Sequence, residues 1–126
     1  MSRTPSVPKP VRRLPSGRIP RAAIRKYVNQ IVEKFRPDKV ILFGSHAYGK
    51  PDDGSDVDLL VVMPAKNELT QSIRIRQAFW APFPMDLLVY RPETLAKWLE
   101  WEDPYLTEIF DKGIVLHEAG DARLGA

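Results

Sequence analysis

The spacing of hydrophobic residues changes several times along the chain, and each change marks the boundary of a predicted element. Between Pro20 and Pro37 the apolar residues recur every three or four positions, which predicts one amphipathic helix. Those residues are Ile24, Tyr27, Val28, Ile31, Val32 and Phe35. Elsewhere, short continuous apolar runs have the length and composition of buried strands. The runs lie at residues 39–43, 57–63, 85–90 and 114–116.

Three more helices are predicted in the second half of the chain. Residues 67–81 have an untidy helical period, with large apolar residues on two sides. One side carries Leu69, Ile73 and Trp80, and the other carries Ile75 and Phe79. Pro92 and the pair Asp103-Pro104 are typical helix starts, and the helix after Pro92 is expected to turn Trp98 inward.

The order of these elements restricts the fold class. It reads helix, strand, strand, helix, strand, helix, helix, strand, with room for a short helix beginning at Ser45 between the first two strands. This order predicts an α/β (α+β) fold in which a small mixed sheet of about four strands is flanked by helices.

Charge is distributed unevenly along the chain. Residues 1–32 carry eight Lys/Arg and no acid, whereas residues 33–126 carry eleven Lys/Arg and sixteen Asp/Glu. Residues 1–18 are also rich in proline and poor in large apolar side chains, so we expect a disordered basic arm. We expect the folded domain at residues 19–118 and a frayed tail at residues 119–126.

Composition excludes several classes of protein. The 126 residues, 44% of them hydrophobic, suit one soluble domain. No apolar run approaches the roughly 20 residues that span a bilayer, so no membrane association is expected. Cysteine is absent, which excludes disulfides and thiolate metal sites and fits a cytoplasmic localisation.

Three aspartates occupy strands that are otherwise apolar. Asp56 and Asp58 stand two residues apart at the start of the second strand, so their side chains project to the same side. Asp86 stands near the start of the third strand. Carboxylates in such surroundings are costly unless a cation accompanies them. Mg²⁺ is the cation that best fits oxygen ligands of this kind, and two such ions can support nucleotidyl transfer.

The turn before this strand pair supplies the other half of a candidate site. Gly44-Ser45 follows the first strand directly. Glycine allows a backbone to approach a phosphate closely, and Ser45 offers a hydroxyl and the N–H of a helix start. His46 and Tyr48 follow, and we expect an exposed loop residue and a packing residue, respectively.

These motifs together resemble the minimal nucleotidyltransferase domains of the polymerase-beta-type superfamily. The resemblance rests on Gly44-Ser45, ten intervening residues, the Asp56-x-Asp58 pair and a third acid at Asp86, and it covers residues 20–118. It implies that Asp56, Asp58 and Asp86 are the catalytic and metal-ligating residues. It also implies that Gly44 and Ser45 hold the phosphates of a nucleoside triphosphate such as ATP.

The resemblance further implies a partner. Minimal members of this superfamily often pair with a helical protein of the HEPN type, in some pairs a toxic ribonuclease, and act as the antitoxin by transferring AMP to it. That case is the leading hypothesis here. The alternatives are transfer to a small molecule such as an aminoglycoside, in a pocket that a homodimer could complete, an antitoxin that acts by occlusion alone, and nucleic-acid binding through the basic arm.

Overall fold

The computed structural model of the chain describes residues 19–49 and 56–120. The predicted N-terminal arm and the tail beyond residue 120 lie outside the described residues. The elements in chain order are α1 (Arg21–Phe35), β1 (Lys39–Phe43), α2 (Ser45–Tyr48), β2 (Val57–Val62), α3 (Glu68–Ala78), β3 (Met85–Tyr90), α4 (Pro92–Glu100), α5 (Pro104–Lys112) and β4 (Ile114–Glu118). The predicted order of helices and strands is confirmed.

The four strands form one mixed sheet in the order β3-β2-β1-β4. β1 runs antiparallel to both β2 and β4, whereas β2 and β3 are parallel. Parallel neighbours need a crossover connection, and α3 supplies it. The predicted fold class, a small mixed sheet flanked by helices, is therefore confirmed.

Alternation along the strands divides the core into two layers. Val40, Leu42, Leu59 and Val61 face a cluster that contains the buried side of α1 and Ile75 of α3. The intervening positions face a second cluster. That cluster consists of Ile41, Phe43, Leu60 and Val62 from the sheet and Leu95, Leu106 and Ile109 from α4 and α5. Because successive side chains of a strand point to opposite faces, both faces of the sheet are covered by helices.

Some of the large apolar side chains of α3 and α4 point away from the sheet. In α3 the side that packs on the core carries Ile75 and the partly buried Phe79, while Leu69, Ile73 and Trp80 are exposed. The prediction that Trp98 of α4 turns inward is wrong, because its side chain is 39% exposed and stands edge-to-face against Trp101. The space against the sheet is filled by Ile75 and Phe79 of α3 and by Leu95 and Leu99 of α4.

No helix within residues 19–49 and 56–120 combines the length and the apolar character needed to cross a membrane.

Candidate active site

Gly44 forms a tight turn between the end of β1 and the short helix α2. Its φ of 77° and ψ of −164° lie in a region that is essentially restricted to glycine. A Cβ atom at this position would overlap with the carboxylate of Asp58. The backbone N–H groups of Ala47 and Tyr48 donate to the Gly44 carbonyl, at 2.9 and 3.0 Å. Glycine is therefore required both for the turn and for its close approach to an acidic side chain.

The pairing of β1, β2 and β3 brings two of the three predicted aspartates together. Asp58 is the register partner of Asp86 on β3 and of Phe43 on β1. Neighbouring strands lie about 4.8 Å apart, so Asp58 and Asp86 occupy adjacent positions at one end of the sheet. Asp56 is exposed immediately before β2. All three candidate acids thus stand at the end of the sheet that also carries Gly44 and Ser45.

The local environment makes a negative charge at Asp58 unfavourable. Partial burial and, to a smaller extent, repulsion by Asp86 and Asp56 raise the pKa of Asp58 from 3.8 to about 6, while His46 opposes the shift. A cation beside Asp58 would remove this cost. His46 itself is buried at 7% exposure, so the expectation of an exposed loop residue is wrong. It lies inside α2, which is packed against the sheet.

Asp86 already has a cationic neighbour. The guanidinium of Arg76 lies 3.5 Å from the Asp86 carboxylate, and it also donates to the Met85 carbonyl at 3.4 Å. Both side chains of this ion pair are about half exposed. Arg76 comes from the last turn of α3, which packs beside β3.

The acidic residues suit a divalent cation by their chemistry, since carboxylate oxygens are the ligands that Mg²⁺ prefers. Asp56 and Asp58 offer such oxygens near enough to each other for their charges to interact. In the described residues, however, no three Asp, Glu or His side chains converge closely enough to enclose an ion. Asp86 is held by Arg76 instead, so a metal site built from all three aspartates stays a prediction.

Tyr105 also belongs to this end of the sheet, and sequence analysis did not find it. Its ring packs edge-to-face against Phe43, with 6.0 Å between ring centroids, and the side chain is 50% exposed. Burial raises the pKa of Tyr105, and the charges of Asp58 and Asp86 raise it further. No local pattern marks this tyrosine, because only the packing of α5 on the sheet brings it near the aspartates.

Comparison with known proteins agrees with this arrangement. The sequence profile of the family described as "Nucleotidyltransferase domain" matches residues 24–115. A Methanocaldococcus jannaschii protein, provisionally named a protein adenylyltransferase, is 27% identical over 97 residues, which cover 75% of this chain and 95% of that protein.

Among solved structures, a provisionally named nucleotidyltransferase from Sulfolobus solfataricus matches with a TM-score of 0.48 and 16% identity. The match covers 75% of this chain and 76% of that one. The profile match alone spans well over half of the chain and includes Gly44, Ser45 and all three aspartates. The chain therefore belongs to the nucleotidyltransferase domain family and is a nucleotidyltransferase.

Proposed function

We propose that this protein transfers a nucleoside monophosphate, AMP from ATP, to a hydroxyl group of a partner protein in a Mg²⁺-dependent reaction. The observation that carries the proposal is the packing of the Gly44 turn against Asp58, with Asp56 and Asp86 at the same end of the sheet. Such a site offers backbone donors for phosphate beside carboxylates for a cation.

The nucleotide half of the site would be built on β1 and α2. The first N–H groups of a helix have no acceptor within the helix, and Ser45 occupies that first position. The N–H and hydroxyl of Ser45 would bind the phosphates. Because Gly44 has no side chain, the phosphates would have room to approach Asp58. Mg²⁺ held by Asp56 and Asp58 would neutralise phosphate charge and stabilise the leaving oxygen.

The acceptor half would be built on β3. Asp86 would orient the acceptor hydroxyl and take its proton while the hydroxyl oxygen bonds to the α-phosphorus. The bond between that phosphorus and the oxygen that bridges to the β-phosphorus breaks, and pyrophosphate leaves. Because Arg76 contacts Asp86, this carboxylate would have to exchange its guanidinium partner for the incoming hydroxyl.

The proposed partner is a helical protein of the HEPN type, which this protein would neutralise as an antitoxin in the cytoplasm. Two observations support a protein acceptor. The motifs around Gly44 and Asp58 resemble those of the minimal nucleotidyltransferases that act in such pairs, and the Methanocaldococcus jannaschii relative carries the name of a protein adenylyltransferase.

The test is to incubate the purified protein with Mg²⁺, each of the four nucleoside triphosphates and a co-purified partner protein. Intact-mass measurement then shows whether the partner gains a nucleoside monophosphate. Asp86→Asn should bind nucleotide with modest loss but transfer it about 10²- to 10⁴-fold more slowly. Asp111→Asn, an exposed acid on α5, is the control and should transfer at the wild-type rate.

Each failure has a distinct meaning. Transfer by Asp86→Asn within a few-fold of the wild type would contradict the role of Asp86. Transfer to an aminoglycoside, with no change in the mass of any protein, would make the enzyme a small-molecule transferase. Neutralisation of the partner without any mass change would favour an antitoxin that acts by occlusion.

A further inference from the structure

A groove with a volume of about 260 Å³ opens beside the candidate active site, between the end of α3 and the start of β3. It is lined by Arg76, Phe79, Trp80, Ala81, Phe83, Pro84 and Met85. Of these residues, Trp80 is 72% exposed and Phe83 is buried. The groove is therefore largely aromatic and apolar, with one cationic side chain.

The same side of α3 continues the apolar surface away from the groove. Leu69 and Ile73 are 71% and 44% exposed. At 3.6 residues per turn, Leu69, Ile73 and Arg76 lie within about 60° of one another around the helix. From Leu69 to Arg76 this surface is about 10 Å long. We call Leu69, Ile73 and the groove together the α3 surface.

The position of the groove relative to the candidate acids indicates which substrate would bind in it. The Gly44 turn follows β1, Asp58 is on the central strand β2, and Asp86 is on the edge strand β3, whose first residue, Met85, lines the groove. If the phosphates lie at Gly44, an acceptor in the groove would reach the carboxylates from the side of Asp86. Arg76 joins the two regions, because it lines the groove and contacts Asp86.

We propose that the α3 surface is the docking site of the acceptor polypeptide, which inserts an apolar or aromatic side chain into the groove and places its hydroxyl beside Asp86. This inference rests on the proposed function and adds to it the location and the chemistry of the partner. The partner presents a row of apolar side chains to Leu69 and Ile73. It also presents a carboxylate to Arg76, which releases Asp86 for the hydroxyl.

The chemistry of the α3 surface favours a polypeptide over smaller ligands. A nucleobase would fill the groove but leave Leu69 and Ile73 uncovered. An aminoglycoside is polycationic and would meet the guanidinium group of Arg76, which lines the groove. Exposed aromatic and aliphatic residues in a contiguous surface are typical of protein contacts.

The experiment compares two variants of the α3 surface with two matched controls. Trp80→Ser removes the exposed indole at the groove, and Trp101→Ser removes an indole that is 62% exposed at the end of α4. Ile73→Glu places a charge on the proposed surface, and Ala78→Glu places the same charge on the opposite exposed flank of α3. Lysate of the source organism is incubated with wild-type protein, Mg²⁺ and ATP labelled at the α-phosphate, and the labelled protein is purified as the acceptor.

The variants of the α3 surface should raise the KM for this acceptor by about tenfold or more, as loss of a central interface residue does. The kcat at saturating acceptor and the affinity for a non-hydrolysable ATP analogue should match the controls, because the carboxylates are untouched. Circular dichroism and thermal unfolding confirm that all four variants are folded.

Equal KM values for Trp80→Ser and Trp101→Ser, and for the two Glu variants, would overturn the inference while the proposed function stands. Weaker binding of the ATP analogue by Trp80→Ser, without an acceptor present, would identify the groove as a nucleotide site and also overturn it. If the wild-type protein labels no protein at all, the proposed function fails, and the docking site fails with it.

Discussion

At the scale of single residues, the site depends on a contact that only one residue type permits. Gly44 combines a backbone conformation that other residues avoid with direct packing against the Asp58 carboxylate. That carboxylate is partly buried near two other acids, which makes its charged form unfavourable without a cation. A cation bound beside Asp58 would offset this cost.

Gly44→Ala should abolish nucleotide binding and destabilise the protein, whereas Gly49→Ala should cost only about 1–2 kcal/mol. Both glycines have a positive φ, 77° and 83°, but a Cβ at Gly49 meets no atom within 4 Å. The difference between the two variants therefore reports the contact with Asp58 together with the ψ of −164° at Gly44, which essentially only glycine adopts. Urea denaturation and affinity for an ATP analogue are the measurements. Equal losses in both variants would contradict this role of Gly44.

Asp58→Asn should stabilise the metal-free protein above about pH 6 and have less effect near pH 4. The pKa of Asp58 is about 6 in the folded protein and 3.8 as a model value, so the folded state binds this proton more tightly than the unfolded state. The contribution of Asp58 to stability therefore improves as pH falls through 6, and the Asn variant lacks this dependence. The measurement is the difference in free energy of unfolding between wild type and variant across this pH range. A difference independent of pH would contradict the raised pKa.

At the scale of elements, the site is assembled by the contacts that fix α3 against the rest of the fold. The hydroxyl of Tyr27, buried on α1, donates to the carbonyl of Phe79 at the end of α3, at 3.1 Å. Burial raises the pKa of Tyr27 to about 12, and the charge of Arg76 opposes the rise. This hydrogen bond is one of the contacts that fix the helix end from which Arg76 reaches Asp86.

Tyr27→Phe should lower the free energy of unfolding by about 1–3 kcal/mol, because it leaves a carbonyl without its donor. The ring and its edge-to-face contact with Phe83 remain in the variant, so the loss reports the hydroxyl. With a pKa near 12 the hydroxyl stays protonated, and the loss should be the same at about pH 6 and pH 9. Urea denaturation with an unchanged m-value is the measurement. An unchanged free energy of unfolding would show that water replaces the bond.

The elements were predictable from sequence because their periodicity is strong, whereas side-chain neighbours were not. Strand runs, proline boundaries and the Asp103 cap gave the order and limits of the elements. The shared side predicted for Asp56 and Asp58 stays a prediction, because Asp56 precedes β2. The exposure of Trp98, the burial of His46 and the approach of Tyr105 to the aspartates depend on how helices pack on the sheet. Periodicity carries no information about that packing.

At the scale of the whole molecule, the site combines residues that are distant in the chain. Gly44, Asp58, Asp86 and Tyr105 come from four different segments and meet at one end of a mixed sheet. The unfolded chain does not hold them together. A ligand that needs this arrangement binds the folded protein alone and must therefore raise its stability.

Mg²⁺ together with a non-hydrolysable ATP analogue should raise the melting temperature of the protein, and excess EDTA should remove most of the increase. A ligand present at about 100 times its Kd stabilises the folded state by about 2.7 kcal/mol, which in a domain of this size corresponds to an increase of at least several degrees. Asp58→Asn should lose most of this increase, because the carboxylate that gains most from a cation is gone. Asp111→Asn loses an exposed carboxylate on the outer part of α5 and should keep the full increase. The same increase in Asp58→Asn as in the wild type would show that the cation binds elsewhere, and the assignment of Asp58 as its ligand would be wrong.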